Sequence, residues 1–146
     1  MYGGQRMEIT ESVEEYLEAL FILEEKGKKV AKISEVAGEL KVTPPSAVEM
    51  LKKIEKEGLV DYRAREGVAL TKKGRRLARR IIRNHRIAEL LLTEILSVDI
   101  DDGLHEGMVC AIEHHITDEM ADAVCTKLNH PRICPHGNSI PKGKCC

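Results

Sequence analysis

The chain has 146 residues, of which 42% are hydrophobic and 32% charged, with a formal net charge of −1. That composition suits one sizeable domain, or a small one with a helical extension, and is too apolar for a disordered chain. No apolar run reaches bilayer length, and the start, MYGGQRMEITES, lacks the apolar core of a signal peptide, so no membrane partner is expected and the expected location is the cytosol.

The near-neutral total conceals a basic block. From Lys41 to Arg86 there are 14 Lys and Arg against 5 Asp and Glu, while both flanks are acidic. Such asymmetry points to an anionic partner for one part of the molecule. The five cysteines, Cys110, Cys125, Cys134, Cys145 and Cys146, all fall in the last quarter. An odd number without a secretion signal points to metal or redox chemistry rather than a disulfide framework.

In chain order, Ser12 followed by Glu15 has the form of a capping box, and Val13, Leu17, Leu20 and Phe21 continue as an amphipathic helix to about Gly27. Ile33–Leu40 fits a second, short helix with Ser34 near its start. Lys41 and Val42 form the turn, Thr43 suits an N-cap, and Pro44 and Pro45 suit a first turn, where a missing N–H costs nothing. The third helix points Ala47, Val48, Leu51 and Ile54 inward and ends near Gly58. Leu59–Arg63, Ala64–Gly67 and Val68–Leu70 read as strand, turn, strand. Thr71 then caps a long helix from Lys72 to about Leu96. Further helices are expected from Leu104 to Ile116 and from Asp118 to about Leu128. Three prolines and two glycines make Asn129–Cys146 an expected loop.

The predicted fold class is therefore mainly α: a winged helix-turn-helix N-terminal domain over residues 1–75, then an all-helical dimerisation domain over residues 76–146 with a Cys-rich tail. In a winged helix-turn-helix the second of two crossed helices enters the major groove of double-stranded DNA and the hairpin tip touches the backbone. Here Thr43, Pro45, Ser46 and Glu49 would lie on the outer, N-terminal side of that helix. Thr43 and Ser46 can donate to phosphates or base edges, and Pro45 suits a thymine methyl. Lys52, Lys53, Arg63 and Arg65 are the candidates for phosphate contact. Glu49 works against strong non-specific affinity. The competing reading of this unit is a protein-interaction module.

Three sets of metal-ligand residue types recur at helical spacing: Glu15 and Glu18; His85 and Glu89; and Cys110, Glu113 and His114. With about 100° per residue and Cys110 at zero, Glu113 falls near 300°, His114 near 40° and Glu106 near 320°, whereas Leu104, Met108, Ile112 and Ile116 occupy roughly 120–240°. The donors thus face away from the apolar stripe, and His105 and His115 project toward it. A metalloenzyme is a poor fit, since there is no HExxH and no general base outside the donor set. A regulator that responds to redox through its cysteines, rather than to metal, is the alternative. The tail offers Cys125, Cys134, His136, Cys145 and Cys146 as a second, structural zinc or iron site.

The segments ESVEEYLEALF, KISEVAGELKVTPPSAVEMLKKIEKEGLV, GVALTKKGRRLA, NHRIAELLL, CAIEHHITDEM and HPRICPHGNSIP, in this order, resemble the diphtheria toxin repressor and manganese transport regulator family from about Ile9 to Pro141. The resemblance implies a winged-helix domain, a helical dimerisation domain and metal sites at their junction. It implies a homodimer that represses metal-uptake genes when loaded with metal, and no small-molecule substrate. It implies one site from Glu15, Cys110, Glu113 and His114, with Glu18 possible as in manganese-type members, and another from His85 and Glu89. Iron-type members add a histidine to the second site. Helical phase favours Glu106 for that role, and the family pattern favours His105. A thiolate at Cys110 favours Fe(II), with Mn(II) second. The resemblance does not extend to the SH3-like domain of longer iron-type members. Two-fold pairing is expected through Leu90, Leu91 and Ile95 or through the Leu104–Leu128 helix pair, setting two recognition helices about one or two DNA turns apart.

Overall fold

The computed structural model describes residues 9–103, 105 and 107–146, and the chain divides into two compact units, Met1–Ala78 and Arg79–Cys146.

In the first unit, α1 (Glu11–Glu25) is capped by Thr10, whose hydroxyl accepts from the Val13 N–H at 3.3 Å. This corrects the Ser12–Glu15 capping box: Ser12 is already helical, and the earlier start brings Glu11 and Glu14 into the first turn, where the helix dipole favours acids. In α2 (Ile33–Leu40) the Lys32 N–H donates to the Glu35 carboxylate at 3.1 Å. Lys41 then takes a left-handed φ of 55° and Val42 N–H donates to Ala37 O at 3.1 Å, so the helix stops sharply. Thr43 caps α3 (Pro44–Lys56) by accepting from Ser46 N–H at 3.4 Å, and both prolines fall in the first turn as expected.

The antiparallel hairpin of β1 (Val60–Arg63) and β2 (Gly67–Leu70) pairs Val60 with Leu70 and Arg63 with Gly67. Ala31 bridges the outer edge of β2 at Val68, with N–H···O distances of 2.9 and 2.8 Å. That close approach requires Gly67, whose φ is 129°: a Cβ there would sit 2.3 Å from Ala31 O. Thr71 caps α4 (Lys72–Leu90) by accepting from Gly74 N–H at 3.0 Å while donating to Gly58 O at 2.6 Å. Val13, Leu17, Val36, Ala47, Leu51, Ile54 and Val68 are fully buried and form the core on which α3 and the hairpin are mounted. Each of the larger ones contributes about 1.5–3 kcal/mol on burial.

α4 begins in the first unit and ends in the second, where five π-helical residues, Leu91–Ile95, carry it on. The widening follows from Thr93, whose hydroxyl donates to Glu89 O at 2.9 Å and competes with the α-helical ladder; Leu96 N–H closes on Leu91 O at 3.1 Å instead. Leu90 is buried in the core of its own unit, while Ile95 and Leu96 are 40% and 56% exposed.

α5 (Met108–Glu113) is shorter than the expected Leu104–Ile116 helix. It starts after Gly107, whose φ is 84°, and ends at His114 before Thr117 caps α6 (Asp118–Lys127). Leu104 and Glu106 lie outside the described residues. The tail has no helix or strand, as expected from its prolines, but it is packed. Cys134 and Ile140 are buried with Ile87, Leu90, Ala121 and Cys125, and Cys134 N–H donates to Asn138 O at 2.9 Å across a tight turn. Among the described residues no helix is long and apolar enough to cross a membrane.

Candidate metal centre and nucleic-acid interface

Within the second unit, donor atoms from α4, α5 and the tail touch one after another. On α5 the i,i+4 spacing sets Cys110 Sγ 3.7 Å from His114 Nε2, and Glu113 Oε1 lies 3.4 Å from that same nitrogen. Glu113 Oε2 meets His85 Nδ1 on α4, and His85 Nε2 lies 3.1 Å from Glu89 Oε1 one turn further along. Glu89 Oε2 in turn meets His136 Nδ1, and His136 Nε2 donates to Asp101 Oδ1 at 2.8 Å. Cys134 Sγ joins Glu89 and His136 in a group whose donor atoms all lie within 4.8 Å of one another.

The burial of these groups gives the arrangement its chemistry. The side chains of Glu89 and Glu113 are each 3% exposed and that of His114 is 2% exposed. Buried carboxylates are costly unless cations or strong donors meet them. Glu89 Oε2, although it faces His136, has no hydrogen-bond partner of proper geometry. His85 is flanked by carboxylates on both ring nitrogens, and so is His136. A neutral imidazole offers one N–H, so a carboxylate on each side calls for a second positive centre, either a proton or a metal ion. An imidazole that binds metal through one nitrogen and donates to a carboxylate through the other is the usual pattern around ligating histidines. The hydrogen bond to Asp101, with the charge of Glu89 behind it, holds His136 above the ordinary histidine value against the opposing effect of burial. The donors present therefore fit a divalent transition metal: sulfur, imidazole and carboxylate lie side by side.

Of the expected ligands, the second unit brings together His85, Glu89, Cys110, Glu113 and His114 along this path. Glu15 and Glu18 are on α1, in the first unit, on the face away from Val13 and Leu17. Glu106 lies outside the described residues. His105 is in none of the donor groups formed by the described residues, and its Nδ1 is 3.7 Å from Asp102 Oδ2. His115 was expected on the apolar side; because α5 ends at Glu113, the 100° phase no longer applies there, and His115 is exposed.

The five tail residues expected to share one structural site do not come together. Cys134 and His136 lie with Glu89, whereas Cys125, Cys145 and Cys146 form a separate group with His130. Sequence reasoning missed His130 because its spacing of five from Cys125 matches no helix face. The structure brings it back because α6 ends and Asn129 and His130 both adopt left-handed φ values of 60° and 55°.

In the first unit, Thr43, Pro45, Ser46, Glu49, Lys52, Lys53, Arg63 and Arg65 are all exposed. Thr43 Oγ1 donates to Ser46 Oγ at 2.9 Å, so the two hydroxyls at the start of α3 are held side by side. Lys53 lies 3.7 Å from Glu49, and Arg63 at the wing lies 3.2 Å from Asp61 and 3.5 Å from Glu66. Exposed pairs of this kind are worth little and exchange readily for phosphate. Arg65 stands at the hairpin tip with a φ of 76°.

Comparison with known proteins agrees with both units. Residues 8–68 match the family model for the iron dependent repressor N-terminal DNA binding domain, and residues 71–142 match that for the iron dependent repressor metal binding and dimerisation domain. The chain is 31% identical over 134 residues to the diphtheria toxin repressor of Corynebacterium diphtheriae, covering 92% of this chain and 58% of that protein. It therefore spans little more than half the length of that relative. It is 30% identical over 114 residues to an uncharacterized HTH-type transcriptional regulator of Methanocaldococcus jannaschii, covering 78% of this chain and 90% of the relative. The structure of the manganese regulator SloR superposes with a TM-score of 0.74 at 35% identity, covering 88% of this chain and 59% of that one. Two adjacent domain matches, a winged helix-turn-helix and a donor-rich helical unit place the chain in the diphtheria toxin repressor family of metal-dependent transcriptional regulators.

Proposed function

We propose that this chain is a metal-dependent transcriptional repressor that binds operator DNA as a homodimer when loaded with a divalent metal, and so controls metal-uptake genes. The observation that carries this reading is the chain of neighbouring donors from Cys110 through His114, Glu113, His85 and Glu89 to His136, with the carboxylates of Glu89 and Glu113 buried within it. Following the family resemblance, Glu15 and Glu18 of α1 complete the site that includes Cys110, Glu113 and His114. Fe(II) is favoured over Mn(II), because Cys110 and Cys134 add sulfur to the donor set and manganese prefers oxygen.

A divalent cation held by these residues would supply positive charge beside the buried carboxylates of Glu89 and Glu113. The protein residues do the rest. Donors carried by separate elements bind best in one arrangement of the chain, so loading favours that arrangement by the difference in affinity between states. In the favoured arrangement Thr43, Pro45 and Ser46 meet the groove, while Lys52, Lys53, Arg63 and Arg65 hold the backbone. Ile95 and Leu96, exposed at the end of the long helix, are suited to a dimer face. Redox sensing through thiols alone is the weaker reading, because it gives no role to the buried carboxylates and imidazoles. An anaerobic DNA-shift titration with Fe(II), Mn(II) and Zn(II) at fixed free concentration, on DNA upstream of the gene, tests the proposal. Metal-stimulated binding strongest with Fe(II) supports it, and binding that follows oxidant and ignores chelator refutes it.

A further inference from the structure

The tail holds a second set of donors that the regulatory reading does not use. Cys125 on α6, His130 just past its end, and Cys145 and Cys146 at the end of the chain place one donor atom each within 4.8 Å of all the others. Ideal tetrahedral zinc, with Zn–S of about 2.3 Å and Zn–N of about 2.0 Å, requires S···S edges of about 3.8 Å and S···N edges of about 3.5 Å. Here Cys145 Sγ and Cys146 Sγ are 3.8 Å apart, and Cys125 Sγ and His130 Nδ1 are 3.5 Å apart.

The surroundings point the same way. Each of the three sulfurs receives an arginine N–H: Arg132 Nη2 lies 3.6 Å from Cys125 Sγ and 3.2 Å from Cys146 Sγ, and Arg83 Nη2 lies 3.5 Å from Cys145 Sγ. Guanidinium groups stabilise thiolates, and N–H···S hydrogen bonds are what surrounding residues supply to ligating sulfur. Three thiolates around Zn(II) carry one surplus negative charge, which these cations offset. Arg83 is 5% exposed and lies 2.7 Å from Asp122, so it is fixed in place. Gly143 lets the chain pass close over that pair: a Cβ there would sit 2.3 Å from Arg83 Cζ and 2.6 Å from Asp122 Oδ1. This close passage delivers Cys145 and Cys146 to Cys125.

We propose that Cys125, His130, Cys145 and Cys146 form a tetrahedral Zn(II) site that fastens the tail to α6 and is separate from the regulatory metal centre. Three thiols lose their protons to solvent as the ion binds, and no electron is transferred. All four protein positions are taken, which makes the site structural rather than catalytic.

The test uses the 146-residue chain carrying Cys110→Ser and Cys134→Ser, so that Cys125, Cys145 and Cys146 are the thiols that remain, titrated anaerobically with Co(II). The expected result is the intense visible absorption of tetrahedral thiolate-bound cobalt, displaced by Zn(II). That absorption falls in Cys146→Ser, an exposed position, and in His130→Asn, where asparagine tolerates the left-handed backbone. Circular dichroism matching the parent confirms that these variants fold. Absence of the cobalt bands, bands unchanged by both substitutions, or a disulfide among these cysteines under the same conditions overturns the proposal. Mn(II)-stimulated DNA binding by the chain with all five cysteines, and by Cys146→Ser in that background, reports on the regulatory reading independently.

Discussion

Replacing Glu113 with glutamine probes the donor path at its centre. Glu113 touches His85 through one carboxylate oxygen and lies 3.4 Å from His114 through the other, and its side chain is 3% exposed. Glutamine has the same shape, so the exchange removes a negative donor without opening a cavity. Losing a partner of a metal ligand already weakens affinity by about 10–100-fold, and losing a ligand itself costs at least the upper end of that range. With free metal at about 100 times Kd, binding stabilises the wild-type fold by about 2.7 kcal/mol; a 100-fold loss in affinity cuts that to about 0.4 kcal/mol. For a chain of this size about 2–4 °C of Tm accompanies each kcal/mol. Mn(II) should therefore raise the wild-type Tm by roughly 5–11 °C and that of Glu113→Gln by roughly 1–2 °C. Differential scanning fluorimetry with and without Mn(II) measures both, and Mn(II) is chosen because it competes poorly for the thiol-rich tail. An equal metal-induced rise in the two proteins would refute the assignment of Glu113 to the centre.

Three further outcomes follow from the first unit. Arg63→Ala and Arg65→Ala should each reduce the slope of log K against log salt for operator binding by about one, with metal dependence unchanged; an unaltered slope removes the wing from the interface. Gly74→Ala should cost about 1–3 kcal/mol or more by urea unfolding, because its Cβ would lie 1.8 Å from the Leu59 carbonyl oxygen; a loss under about 0.5 kcal/mol contradicts the packing of α4 on the wing base. Glu35 is held below its ordinary value of 4.5, first by the hydrogen bond from Lys28 and then by the Lys32 backbone N–H. Its contribution is thus present above that value and lost as pH falls through the lower folded one. Glu35→Gln should lower Tm slightly at neutral pH and match the wild type near pH 2; a difference that persists in acid would show another cause.

Local rules carried much of the fold. Thr43-Pro44-Pro45 marked the start of α3 because capping and proline chemistry act within one turn, and the strand–turn–strand pattern at Val60–Leu70 is equally local. The i,i+4 spacings that made His85 with Glu89 and Cys110 with His114 visible are helix geometry, and the structure keeps both pairs within reach. Signals spread over the chain were not legible. Nothing in a linear reading links Glu89 to Cys134 and His136, which meet because Ile140 and Cys134 pack on α4 residues Ile87 and Leu90. His130 escaped notice because it falls in a segment read as loop, where two left-handed residues that no helical spacing reveals bring it back beside Cys125. At His115 helical phase was carried too far, since α5 stops two residues earlier. Thr10 displaced Ser12 as the cap because two hydroxyl residues compete within one turn, and the acids of the first turn decide between them.

The central claim is that the buried donors of the second unit govern the DNA affinity of the first. Its most direct test is operator binding by fluorescence anisotropy for wild type and His114→Ala, in chelator and then with saturating Fe(II) under anaerobic conditions, with dimerisation followed by sedimentation. The account predicts a large metal-induced gain in affinity for wild type and none for His114→Ala, with fold and oligomeric state unchanged. A variant that keeps the full metal response would contradict it.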